Sequence, residues 1–88
     1  MKIPKQFELG GMTWSVEQID DLADLGRCLR DAQKIHIKKN EKAQTKQQAF
    51  CHELVHAIKF TMGGTDHDEK EVDILGTLIH QFLKTSKY

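Results

Sequence analysis

The chain changes its hydrophobic period once. As far as about Lys38 apolar and polar residues alternate, and from about Lys42 apolar residues recur at helical spacing. Met12, Trp14 and Val16 interleave with Thr13, Ser15 and Glu17, which predicts a β-hairpin over Phe7–Glu17 turning at Gly10-Gly11. A helix opening at Ser15 with Gln18 as its capping partner competes for part of this segment, but the strand fits the alternation better. Ile19 to Leu25 reads as a loose turn. Gly26–Leu29 and Lys34–Lys38 then form a second strand pair around Asp31-Ala32-Gln33. Ile35 and Ile37 point one way and Lys34, His36 and Lys38 the other, so one face is buried and one is wet.

Two helices follow. The first spans about 42–62, with Phe50, Leu54, Ala57, Ile58 and Thr61 as its core stripe and Gly63-Gly64 as its stop. The second begins near Asp66 or Asp68 and runs to about Lys84. Its expected core stripe is Val72, Leu75, Leu78, Ile79, Phe82 and Leu83. Short strands followed by two amphipathic helices make an α+β domain, with a small antiparallel or mixed sheet packed on the helices.

Eighty-eight residues form one domain with a modest core, to which a bound metal can add stability. Thirteen basic and thirteen acidic side chains cancel, so no field favours nucleic acid. The first residues lead into no apolar run, and neither a signal peptide nor a membrane span is expected. Two cysteines, Cys28 and Cys51, make no disulfide framework, which suits a reducing cytoplasm. Cys51 precedes the first motif histidine but points elsewhere around the helix, and reads as a small buried side chain.

The chemistry centres on His52-Glu53-Leu54-Val55-His56. Residues i and i+4 of a helix lie one above the other, so His52 and His56 can aim two imidazoles at one ion. Glu53, one step around, can reach a water on that ion as general base. A catalytic zinc takes three protein ligands, and the third is expected near the start of the second helix. There Glu69, Asp73, Gly76 and His80 share one narrow face, whereas Glu71 aligns with Leu75, Leu78 and Phe82. Glu69 is the preferred ligand, with Glu71 and then Asp66, His67 or Asp68 as alternatives. Asp73, one turn on, is placed to accept a hydrogen bond from a ligand histidine. Gly76 removes a side chain where the helices must come close. Against this, Asp66-x-x-Glu69 has the spacing of a capping box. His67 also reads as a solvated loop residue, His80 as a helix-packing or surface residue, and His36 as part of a wet strand face.

These segments resemble the gluzincin-type zinc metallopeptidases, and within them the small ImmA/IrrE-like proteins of bacteria and their phages. Ala49 to Ile58 is similar to that family's active-site helix, and Glu69-Lys70-Glu71-Val72-Asp73-Ile74-Leu75-Gly76 to its downstream signature. The resemblance implies a zincin-like fold with strands at about 5–38, the active-site helix at about 42–62 and a third-ligand helix at about 68–84. It implies one zinc ion held by His52, His56 and Glu69, Glu53 as catalytic base, and Asp73 behind a ligand. The strand Lys34–Lys38 resembles the zincin edge strand that pairs with an extended peptide. The family's usual partner is a helix-turn-helix transcriptional repressor, cut to release a mobile element. His67, His80, Tyr88 and His36 are the candidates for substrate or oxyanion contacts. The alternative function is a catalytically weak or inactive, metal-stabilised interaction module, phage-encoded and binding a host protein. A third is a sensor whose folding follows metal occupancy.

Overall fold

A computed structural model describes residues 1–88. Four strands are followed by two helices: β1 Gln6–Leu9, β2 Met12–Ile19, β3 Gly26–Leu29, β4 Lys34–Lys38, α1 Ala43–Thr61 and α2 Glu69–Thr85. The fold is α+β, with one mixed sheet in the order β1-β2-β4-β3. β1 and β2 form the expected hairpin with Leu9 opposite Met12. Gly10 and Gly11 have φ of 56° and 81°, the positive values that a two-residue hairpin turn requires. β2 stays extended to Ile19, so the competing helix at Ser15 does not form.

The sheet order corrects one expectation. The strand Lys34–Lys38 is not an edge. It pairs in parallel with β2 and antiparallel with β3, and β3 is the open edge on that side. Hydrophobic alternation marks which residues face the core, but it carries no record of strand order.

Ile35 and Ile37 are fully buried and meet Trp14, Phe50, Cys51, Ala49 and Ala57 beneath α1. Phe7 lies flat beside Trp14 and edge-on to Phe50 at 5.9 Å, closing the hairpin end of the core. The burial of α1 is broader than a single stripe. Ala49, Phe50, Cys51, Glu53, Val55 and Ala57 are buried, Leu54 and Ile58 only partly so, and Thr61 is exposed. α1 is covered by the sheet on one side and by α2 on another. It ends where expected: Gly64 N–H donates to Lys59 O at 2.9 Å and Gly63 N–H to Phe60 O at 3.0 Å, with Gly63 at φ 91°. This is a Schellman cap, and glycine satisfies its left-handed position without strain.

α2 departs most from its expected packing. Of its apolar stripe only Val72 is buried, with Ile79 partly covered; Leu75, Leu78, Phe82 and Leu83 face outward. The helix packs through its narrow polar face, burying Gly76 and His80 beside Val72. Gly76 makes this possible, because a Cβ there would stand 2.9 Å from the Cα of His52. His80 lies between two amides, with Gln48 Oε1 2.9 Å from Nδ1 and Gln47 Oε1 3.1 Å from Nε2, and its neutral ring donates to one of them. Asp68 caps the helix by accepting from the Lys70 and Glu71 amides, so the competing Asp66–Glu69 capping box is not used. Neither helix is long and apolar enough to cross a membrane.

The Gly76–His52 contact generates a prediction. Alanine is the better helix former by about 1 kcal/mol, yet its methyl would force the helices apart. Gly76→Ala should therefore lower unfolding stability by about 1–3 kcal/mol, the usual cost of overpacking. Urea denaturation would measure it, and a stabilised variant would contradict the close-packing account.

Candidate metal centre

Half a turn of difference in position separates the two jobs that α1 performs. Ala49, Phe50 and Ala57 hold it to the sheet, while His52 and His56 project towards α2, their ring centroids 5.2 Å apart. The first turn of α2 then delivers Glu69. Its carboxylate spans both rings, with Oε1 3.0 Å from His56 Nε2 and Oε2 3.4 Å from His52 Nε2. The ligand-type atoms of these three residues all lie within 4.8 Å of one another. Glu71, the alternative ligand, instead forms an ion pair with Lys59 on the surface.

Behind the rings the two histidines have different partners. Asp73 Oδ1 stands 3.5 Å from His52 Nδ1, the position expected of a carboxylate that orients a ligand. His56 Nδ1 lies 2.7 Å from His67 Nδ1, and His67 Nε2 lies 2.9 Å from Gly64 O. His67 is half-buried against Phe60, their ring centroids 4.4 Å apart, and is not the solvated loop residue that its surroundings in sequence suggest. Spacing gave no signal for this contact, because it depends on the turn that the Schellman cap imposes on the connection.

Glu53 is buried although it carries a carboxyl group, with 8% of its surface exposed. It sits under β3 at Gly26, where a Cβ would come within 3.0 Å of Glu53 Cγ and 3.2 Å of Oε2. Burial raises its pKa to about 7; His52 opposes the shift, and Glu69 and Asp24 add to it. A carboxyl poised near neutrality can both accept and return a proton. Burial also lowers the pKa of His56, against the pull of Glu69, which favours the neutral ring a ligand needs. Cys28 lines the same cleft, but burial, and secondarily Glu53, push its thiol up to about 12. It stays protonated and offers no thiolate.

Two adjoining clefts of about 660 and 600 Å³ meet at Gly26, His52 and Glu53. Gln44, Thr45, Gln48 and Lys84 line one, and Arg27, Phe60, Thr65 and His67 the other. Of the remaining candidates, His80 borders the first cleft but is held by its two glutamines. His36 lies 3.9 Å from Glu17 on the wet face of the sheet, and Tyr88 is fully exposed at the end of the chain. Neither lines the clefts around His52.

The buried Glu53 makes stability depend on pH. A carboxyl whose pKa rises on folding favours the folded state while protonated. Its contribution is complete below the ordinary value of 4.5 and is lost as pH rises through about 7. Glu53→Gln should therefore gain about 1–3 kcal/mol on the wild type between pH 5 and pH 8 in the metal-free chain. Denaturation in chelator at both pH values checks this, and parallel pH profiles would refute it.

No protein-family model, curated protein or solved structure matches the chain, so its functional reading rests on these residues and distances.

Proposed function

We propose that the chain is a minimal zincin-like, zinc-dependent metallopeptidase, with His52, His56 and Glu69 as metal ligands and Glu53 as general base. One observation carries the reading: two imidazole nitrogens and a carboxylate converge within 4.8 Å, next to a buried glutamate. The donor set fits the ion. Two imidazoles and one carboxylate suit zinc and leave a tetrahedral ion one position for water or substrate. A divalent ion held there lowers the pKa of a water towards neutrality and polarises a peptide carbonyl.

The chain's own groups supply the rest. Glu53 takes the proton of the attacking water and returns it to the leaving amine. Asp73 holds the His52 ring by its Nδ1 edge. β3 offers the substrate a backbone. Leu25 O accepts from Lys38 N–H at 2.9 Å, and antiparallel alternation then turns the N–H and C=O groups of Gly26 and Cys28 away from β4. An extended peptide adding to this edge would pass directly over Glu53. A repressor segment, the substrate type that the family likeness implies, would have to present itself in that extended form.

One observation favours the interaction-module reading as well. Ile74, Leu75, Leu78 and Phe82 make an outward apolar face on α2, each at least 39% exposed. Surfaces of this kind often bind protein. The two readings separate at Glu53, which a binding module does not need.

Metal content by mass spectrometry, beside cleavage of an unfolded protein, tests the proposal. Wild type should carry about one zinc per chain, Glu71→Ala should keep it and Glu69→Ala should lose it. Glu53→Gln should keep the metal and lose about 10²–10⁴-fold in turnover. Wild type that takes up no zinc would reject the metal site, and undiminished cleavage by Glu53→Gln would reject the base.

A further inference from the structure

The contact between His56 and His67 is too close for stacked rings. Their centroids are 5.0 Å apart and their planes 18° from parallel, yet the two Nδ1 atoms approach to 2.7 Å. Parallel rings in face contact cannot bring nitrogens that near, so the rings meet edge to edge through one N–H···N hydrogen bond.

The proton in that bond can be placed from the far end. Gly64 O has only lone pairs, so His67 Nε2, 2.9 Å away, must carry the hydrogen that it shares. A neutral His67 with hydrogen on Nε2 has a bare Nδ1, which can only accept. His56 must then donate from its own Nδ1, and its Nε2 is left with a lone pair. That lone pair faces Glu69 Oε1 at 3.0 Å, where an ion would be held by both; Glu69 is exposed and can turn to solvent when no ion is bound.

We propose that His67 is the positioning residue of the metal centre: it holds the His56 ring in orientation and keeps hydrogen on Nδ1, so that Nε2 is presented to the ion. The inference rests on the metal-site reading above and deepens it. His52 is oriented by a carboxylate, Asp73, whereas His56 is oriented by a neutral ring anchored on a backbone carbonyl. The choice has an electrostatic reason. Glu53, Glu69 and Asp73 already surround His52 and His56, and a further carboxylate would add repulsion around the buried Glu53. His67 supplies an acceptor without a charge. Its anchor depends on the helix stop, since Gly64 is the residue whose N–H closes the cap on Lys59.

Three variants test the role. His67→Phe keeps an aromatic ring against Phe60 but has no acceptor, His67→Ala removes both, and His67→Asn can restore an acceptor near the Nδ1 position. Zinc affinity is measured by competition with a chromogenic chelator. His67→Phe and His67→Ala should each bind about 10–100-fold more weakly than wild type, the usual cost of losing a ligand's hydrogen-bond partner. His67→Asn should recover most of that loss. A second readout needs no metal: ¹⁵N NMR of the histidine rings in chelator at pH 8 should find His56 protonated on Nδ1 in wild type and shifted towards Nε2 in His67→Phe.

The outcomes separate the two claims. If wild type binds no zinc but the His56 proton moves in His67→Phe, the positioning contact stands and the metallopeptidase reading falls. If wild type binds zinc and His67→Phe matches it in affinity and ring protonation, His67 is packing alone and the inference is overturned. An Asn variant as weak as Phe would also overturn the hydrogen-bond role.

Discussion

The contact of Gly76 with the backbone of His52 sets the distance between the two helices, and that distance brings His52, His56 and Glu69 together. A Cβ at this position would lie 2.9 Å from His52 Cα, so α2 rests on α1 about as closely as two backbones can. Asp73 and Glu69 lie about one and two turns before Gly76 on the same face of α2. The close approach brings Asp73 to one edge of His52, and Glu69 to the other edge and on to His56. Val72, fully buried in the same contact, contributes about 1.5–3 kcal/mol to holding it. A wider helix spacing would keep both helices and lose the cluster.

Glycine serves a parallel purpose across the cleft. Gly26 on β3 leaves just enough room for Glu53, whose Cγ would be 3.0 Å from any Cβ there. The carboxyl is thereby packed under the open sheet edge and shielded from water, which is why its pKa rises. The strand with the open edge is thus also what buries the Glu53 carboxyl. Shape and electrostatics here have a single cause.

The residues of the cluster were legible in the sequence because they obey local rules. Helical spacing alone puts His52 above His56, and aligns Glu69, Asp73, Gly76 and His80 along one face. What spacing could not reveal was which face of α2 would be buried. The usual rule sends Leu75, Leu78 and Phe82 inward, but the chosen interface is the one whose polar groups find partners: Glu69 and Asp73 at the histidines, and His80 between Gln47 and Gln48. Burying the apolar stripe on α1 instead would break those contacts and place Gly76 away from His52. The β3 edge was hidden for a different reason, since it depends on β4 running parallel to β2, a pairing between segments far apart in the chain. His67 was hidden because its contact is made by a turn and not by a period.

That turn joins features that a sequence shows separately. Gly63 and Gly64 end α1, Gly64 O anchors His67, His67 holds His56, and two residues later Glu69 faces His56 from the opposite edge. The connection between the helices is therefore part of the site, and its shortness helps to define the geometry. In a domain this small, free energy released by metal binding at such a site is also free energy of folding. An ion held between α1 and the start of α2 would fasten the one interface in the fold that is built on polar groups and a glycine. Most apolar residues that could have strengthened that interface lie outward, so beyond Val72 the helix pair is held by a glycine contact and by its histidines, glutamines and carboxylates.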